Sequence, residues 1–312
     1  MKEIYPLVFK IKRYDPDTRK SWVQEYRIEA GRILRFTDVL RKINKELDPT
    51  LAWNSSCEHA QCGSCSVVIN GRPMLACELL VENAVEHFGT TTFTIEPITV
   101  APVLRDLMVD LEKAYDRVHR IRPFIIRPAQ NPNQGQEYRI SPRLMESYLE
   151  ATRCINCFCC ATACISSQKG FLGPNAVMAS MVRIMDPRED ATEDRLKQLY
   201  SHEGVYRCHS SMACSHVCPK DIDVAHFIGL AKEGKFCRPS TPSPKGGRKL
   251  CAPSLKPTGP KSITIGAAPL GGTYFVWARG FAKMPCEKLD FGMVISGLKS
   301  NRNPTSQQRR KS

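Results

Sequence analysis

The chain has 312 residues, 45 Lys+Arg against 31 Asp+Glu for a formal net charge of +14, and 15 cysteines, a length that holds two ordinary domains. The charge is unevenly placed: residues 233–312 carry 15 Lys+Arg against 3 Asp+Glu, leaving 30 against 28 for residues 1–232, so the body is nearly neutral and is not built to coat nucleic-acid phosphate. The opening Met-Lys-Glu-Ile-Tyr reads as neither a secretory nor a transit signal, and closely packed cysteines in a chain this long exclude a disulfide framework.

Residues 4–12 and 23–28 alternate partly between apolar and polar and predict a hairpin. Thr37 reads as an N-cap for a helix carrying Val39, Leu40, Ile43 and Leu47 at helical spacing. A cysteine loop with Gly63 follows, then a strand over Ser66–Ile69 and an Asn70-Gly71 turn that returns the chain toward Cys77. A strand over 92–96 closes the sheet. Two strands, a helix, a cysteine loop and a hairpin form the β-grasp arrangement of plant-type ferredoxins. After Pro97, Val103, Leu104, Leu107, Met108, Leu111 and Val118 fall on one stripe and predict a helix. Residues 125–137 read as linker, Ser141-Pro142 opens a helix, Pro174 suits the first turn of another, and Asp223 caps a third running through Lys232.

The expected fold is therefore α+β. A β-grasp ferredoxin domain spans 1–98, an all-α dicluster ferredoxin domain spans 99–236, and a basic tail over 237–312 is expected to be disordered, since its Pro/Gly/Ser/Lys content cannot bury a core. Within the tail, the uncharged stretch 262–278 is broken by glycines and Pro269, so no transmembrane segment is expected.

Cys57, Cys62 and Cys65 have the spacing C-x4-C-x2-C and are followed by Cys77, the ligand pattern of a plant-type [2Fe-2S] cluster. Cys154, Cys157, Cys160 and Cys164 form a C-x2-C-x2-C-x3-C run, in which three cysteines hold one cluster and the fourth crosses to the other. The second run, Cys208 to Cys218 before Pro219, has Ser211 where its middle cysteine would stand. Cys164, Cys208 and Cys214 thus offer three thiolates and argue for [3Fe-4S], and Cys218 completes a [4Fe-4S] set with Cys154, Cys157 and Cys160. Zinc would more often take two well-separated pairs. Cys159 is spare and reads as a small buried residue, while Cys237, Cys251 and Cys286 are assigned no role.

With these motifs in order, the chain resembles the iron–sulfur subunit of succinate dehydrogenase or fumarate reductase over roughly residues 5–232. The likeness rests on C-x4-C-G-S-C with Asn-Gly before the fourth cysteine, C-I-x-C-x-C-C-x3-C at 154–164, F-L-G-P at 171–174 and R-C-H-x2-M-x-C-x3-C-P-K at 207–220. It implies electron passage between a flavoprotein subunit and a quinone held by membrane anchor subunits, through [2Fe-2S], [4Fe-4S] and [3Fe-4S] in that order. It places His209 near the quinone and Lys232 where a lysine approaches the quinone or haem propionates. Lys169 stands where many succinate dehydrogenases have tryptophan, Ile165 where proline usually follows the cysteine, and Ala60, in place of glycine, leans toward fumarate reductase. No catalytic residue or substrate site is expected in this chain. Attachment is expected through partners, on the cytoplasmic face of a prokaryotic membrane. The alternative class is the iron–sulfur subunit of a soluble thiol- or heterodisulfide-linked reductase without quinone; a redox sensor or scaffold is a further one.

Overall fold

The computed structural model describes residues 3–127 and 140–234; the tail, its three cysteines and most of the linker lie outside these. The N-terminal part begins with a long antiparallel hairpin, β1 (Ile4–Asp15) and β2 (Lys20–Gly31), paired from Ile4 opposite Gly31 to Asp15 opposite Lys20. It continues through α1 (Phe36–Glu46), β3 (Ser66–Ile69), β4 (Arg72–Leu75), α2 (Val81–Phe88) and β5 (Thr92–Pro97). The sheet order is β2-β1-β5-β3-β4, with β1 and β5 parallel and the other neighbours antiparallel. Alternation explains which face is buried: Leu7, Phe9 and Ile11 of β1 point into the core with Phe93 and Ile95 of β5, and α1 lays Phe36, Val39, Leu40 and Ile43 on them. Phe36 sits 5.1 Å, centroid to centroid, from both Phe9 and Phe93. Asn70 and Gly71 both have positive φ, 47° and 79°, as a two-residue hairpin turn demands.

Two expectations are corrected and one element is added. The cap of α1 is Arg35, whose backbone N–H is taken by the Asp38 carboxylate at 2.9 Å; Thr37 lies inside the helix, fully buried, and Leu47 at the C-cap is exposed. The helix α2 was not foreseen. The stripe after Pro97 is not one helix: it forms a small hairpin, β6 (Val103–Arg105) and β7 (Met108–Val109), before α3 (Glu112–Arg120). The reason is Asp106. It turns the chain at φ 50°, and its buried carboxylate accepts from Tyr14 N at 3.0 Å and Ala52 N at 2.9 Å and pairs with Arg13 Nε at 2.8 Å. Leu107 beside it enters the first core. A helix would carry both residues away from these partners.

The C-terminal part is helical: α4 (Pro142–Leu149), α5 (Cys159–Ala163), α6 (Pro174–Met185), α7 (Thr192–Leu199), α8 (Ala213–His216) and α9 (Val224–Glu233). Ser141 Oγ caps α4 by accepting from Leu144 N at 3.3 Å, Pro174 opens α6, and Asp223 caps α9 by accepting from His226 N at 3.1 Å. The helix α6 is buried along most of its length, with Val177, Met181 and Ile184 among Val118, Phe171 and Phe227. Arg195 of α7, 1% exposed, donates to the carbonyls of Ile121, Arg122 and Phe124 and to Glu189, so a buried cation pins the segment after α3 with its charge answered. Among the described residues no helix is long and apolar enough to cross a membrane.

Candidate metal centres

The twelve cysteines among the described residues are all free thiols. Eleven of them, all but Cys159, gather in three places. Among the described residues no three His, Cys, Asp or Glu side chains converge as a lone ion would need; the thiols are spread around loops and a cavity instead.

The first place is the loop between α1 and β3, joined by Cys77 just beyond β4. Glu58 and Ala60 adopt positive φ, 55° and 56°, an uncommon conformation for residues with a Cβ, and the winding aims backbone N–H groups at sulfur. His59 N and Gln61 N lie 3.4 and 3.3 Å from Cys57 Sγ, Ala60 N lies 3.2 Å from Cys77 Sγ, and Cys77 N lies 3.4 Å from Cys65 Sγ. The exposed Cys62 sits 3.1 Å from Ser64 Oγ, whose hydrogen bond, with nearby backbone donors, lowers its pKa to about 6; burial pushes Cys65 up to about 12. N–H groups pointed at four thiols suit an anionic iron–sulfur group, because they stabilise thiolate charge.

The second place is a small cavity, partly open to solvent, lined by Cys154, Cys157, Cys160 and Cys218. Three of its cysteines come from one run and the fourth from the other, as the crossing rule anticipates. Burial pushes Cys154 up to about 11 and Cys160 well above the ordinary thiol range. Metal binding must therefore displace protons there. One more residue reaches this wall: Asn175, 3% exposed, whose side-chain nitrogen has no hydrogen-bond partner among the described residues. A buried donor left without a partner is rare, and an anionic cluster inside the cavity would satisfy it.

The third place brings Cys164, Cys208 and Cys214 together. Burial, and then the charges of Cys208 and Cys164, push Cys214 up to about 11. Here the loop of the second run copies that of the first. Asn156 and Phe158, two and four residues after Cys154, have φ of 52° and 60°; Ser210 and Met212, two and four after Cys208, have 56° and 60°. Phe158 and Met212 each stand at the N-cap of the short helix that follows. In this doubled winding Ser211 takes the place of Cys157 and is exposed. Lys232 of α9 donates to Cys208 O at 2.8 Å and Ser210 Oγ at 2.7 Å, and burial lowers its pKa. His209 on the same loop is exposed.

The sites abut. A Cβ placed on Gly63, at φ 74°, would lie 2.7 Å from Cys157 Cα and 2.9 Å from its Cβ, so only glycine lets the first loop rest on the second. Cys159, fully buried, packs in the first core and donates its S–H toward Ser66 Oγ at 3.8 Å, while Ser66 Oγ donates to Gly63 O at 2.7 Å. The spare cysteine is thus buried, as its size suggests, but as the joint between the two halves. At the second boundary α5, which carries Cys160, packs on α8, which carries Cys214. The positive-φ pairs, Asn175 and the Ser66–Cys159 contact escaped sequence reading; the parallel spacing of the two runs is the one signal from which the doubled winding was readable.

Comparison with known proteins agrees with this geometry. The family model for a 2Fe-2S iron-sulfur cluster binding domain matches residues 8–116, and that for a 4Fe-4S dicluster domain matches residues 150–222. The mitochondrial succinate dehydrogenase [ubiquinone] iron-sulfur subunit 1 of Oryza sativa subsp. japonica is 32% identical over 231 residues, covering 72% of this chain and 80% of that protein. Among solved structures, a chain of the Mycobacterium smegmatis Sdh1 complex in the apo form superposes with a TM-score of 0.65 at 27% identity, over 74% of this chain and 95% of that one.

Proposed function

The chain belongs to the succinate dehydrogenase iron–sulfur subunit family, and from that premise we propose that it relays electrons between a flavoprotein subunit and membrane quinone through three clusters. Membership makes it the electron-transfer subunit of an oxidoreductase complex, with one 2Fe-2S domain and one 4Fe-4S dicluster domain. When bound, the clusters supply reversible one-electron chemistry. In this reading Cys57, Cys62, Cys65 and Cys77 hold [2Fe-2S]; Cys154, Cys157, Cys160 and Cys218 hold [4Fe-4S]; Cys164, Cys208 and Cys214 hold [3Fe-4S].

The observation that carries the proposal is the unbroken succession of the three cysteine sets, Gly63 lying on Cys157 and α5, which carries Cys160, packing on α8, which carries Cys214. A relay needs its stations in series and close. The chain's part is to space them, to line the second with the buried side chains of Phe158 and Met178, and to direct N–H groups at sulfur. Around the third set Ile165, Tyr206 and Met212 are 61%, 57% and 50% exposed. Apolar side chains left in the open beside a redox site favour a partner there, which we take to be the membrane anchor, with His209 and Lys232 toward the quinone. The complex would then sit peripherally on the cytoplasmic face of a prokaryotic membrane, held by its anchor.

The test is reconstitution. Anaerobically purified protein is expected to hold about nine irons, from two, four and three per cluster. Joined to a flavoprotein subunit, its clusters should be reduced by succinate, and quinone reduction should appear only when an anchor is added. Stoichiometric zinc in place of iron, or clusters that succinate leaves oxidised in the presence of the flavoprotein, would overturn the proposal.

A further inference from the structure

The cavity walled by Cys154, Cys157, Cys160 and Cys218 receives one element end-on. The helix α6, 12 residues long, starts at Pro174 with Asn175 in its first turn, and Asn175 is a wall residue of that cavity. The side chain is 3% exposed and its nitrogen has no hydrogen-bond partner among the described residues. Gly173, at φ 108°, brings the chain into the helix so that the position of its own absent Cβ lies 3.3 Å from Asn175 Oδ1, which leaves the oxygen against the backbone and the nitrogen as the group in need of an acceptor. The other polar side chains on the wall are Asn156 and Lys220; Asn156 Oδ1 faces Cys154 Sγ at 3.8 Å. A desolvated amide donor and the positive end of a helix dipole thus meet in a space ringed by thiols.

We propose that Asn175 is a tuning residue, its side-chain N–H donating to the sulfur surface of the [4Fe-4S] cluster and raising that cluster's reduction potential. The inference rests on the ligand assignment above. On reduction the cluster gains one electron from its donor and no bond is made or broken. Its negative charge rises by one, so a fixed N–H donor stabilises the reduced form more than the oxidised form, and hydrogen bonds to sulfur are one of the known determinants of cluster potential. The structure needs an acceptor for Asn175 and the cluster needs donors; the same contact answers both.

The experiment is a redox titration of the full-length holoprotein followed by EPR, with Asn175→Ala, Asn175→Leu and wild type side by side. Both variants are expected to move the [4Fe-4S] midpoint to lower potential while the [2Fe-2S] midpoint stays in place. A second measurement leaves Asn175 in place and so does not depend on an Asn175 variant folding: Asn156→Gly protein labelled with ¹⁵N-asparagine, in which Asn175 is the labelled residue remaining on the cavity wall, is expected to show hyperfine coupling between the reduced [4Fe-4S] centre and an asparagine nitrogen. A [4Fe-4S] centre present in that protein with no such coupling, or with its midpoint unchanged in both Asn175 variants, overturns the role of Asn175 and leaves the ligand assignment standing. A wild-type protein whose iron and EPR signals show no [4Fe-4S] centre overturns the ligand assignment and the Asn175 inference with it.

Discussion

Replacing Asp106 by alanine tests the contact that fixes the segment after β5. The carboxylate is 1% exposed and takes Arg13 Nε at 2.8 Å, Tyr14 N at 3.0 Å and Ala52 N at 2.9 Å. Deleting one partner of a buried ion pair costs about 3–5 kcal/mol, because the other charge stays desolvated. Arg13 keeps Asp48 at 2.5 Å, which argues for the lower end, about 3 kcal/mol. With a urea slope of about 3 kcal/mol/M that loss moves the unfolding midpoint down by about 1 M. Ala52 leads into the Cys57 loop, so the visible absorbance of the [2Fe-2S] centre should bleach at lower urea in Asp106→Ala, ahead of the dicluster signals. Asp106→Asn, which keeps one carbonyl acceptor without the charge, should fall between wild type and Asp106→Ala. A midpoint for Asp106→Ala that matches wild type would refute the argument that Asp106 holds the β6–β7 hairpin on the first core.

Ser211→Cys restores the thiol at the position equivalent to Cys157 and is expected to raise the iron count by one, replace the [3Fe-4S] signal and lower the third centre's potential, because a further anionic ligand favours the oxidised state; an unchanged EPR spectrum would mean that residue 211 does not face the cluster. Gly63→Asn tolerates positive φ but adds a Cβ, so magnetic coupling between the reduced first and second centres should weaken in it as in Gly63→Ala; wild-type coupling in the Asn variant would show that backbone conformation, not the approach to Cys157, selects glycine. Paired substitution of His209 and Lys232 by Ala and Met is expected to slow quinone reduction in the assembled complex while leaving succinate oxidation with an artificial acceptor intact, and equal losses in both assays would assign the two residues to the fold. Although burial opposes it, hydrogen bonds from Thr50, Tyr26 and Arg13 hold Asp48 well below the usual carboxylate range; the stability it contributes is therefore present above its unfolded pKa of about 3.9 and lost only as pH falls through the depressed folded value. The stability difference between wild type and Asp48→Asn should accordingly stay constant from pH 8 to pH 5 and close only in strong acid, and a difference that shrinks between pH 7 and pH 5 would contradict the ion pairing.

Cluster chemistry was legible in the sequence because ligand spacing is a local property. Cys154 to Cys164 must wind around something within a few residues, whatever the rest of the chain does, and the absence of a thiol at Ser211 can be read without coordinates. The sheet was legible for the same kind of reason: β1 and β5 alternate apolar and polar residues, and Asn70-Gly71 permits little but a tight hairpin turn. Local signals failed where a partner outside the pattern outweighed them. The stripe from Val103 to Val118 has helical spacing, yet the buried Arg13, some ninety residues earlier in the chain, needs the Asp106 carboxylate more than the segment needs another turn of helix. Thr37 looked like a cap by residue type, but Asp38 reaching back to Arg35 N set the helix start and put Thr37 in the core. What only the tertiary structure decided is how the three cysteine sets meet. The absent Cβ of Gly63 against Cys157, the S–H of Cys159 turned toward Ser66 and the Asn175 amide on the cavity wall join positions far apart in sequence, and no periodicity or spacing encodes them, because each depends on the shape of a surface that exists only once both halves have folded.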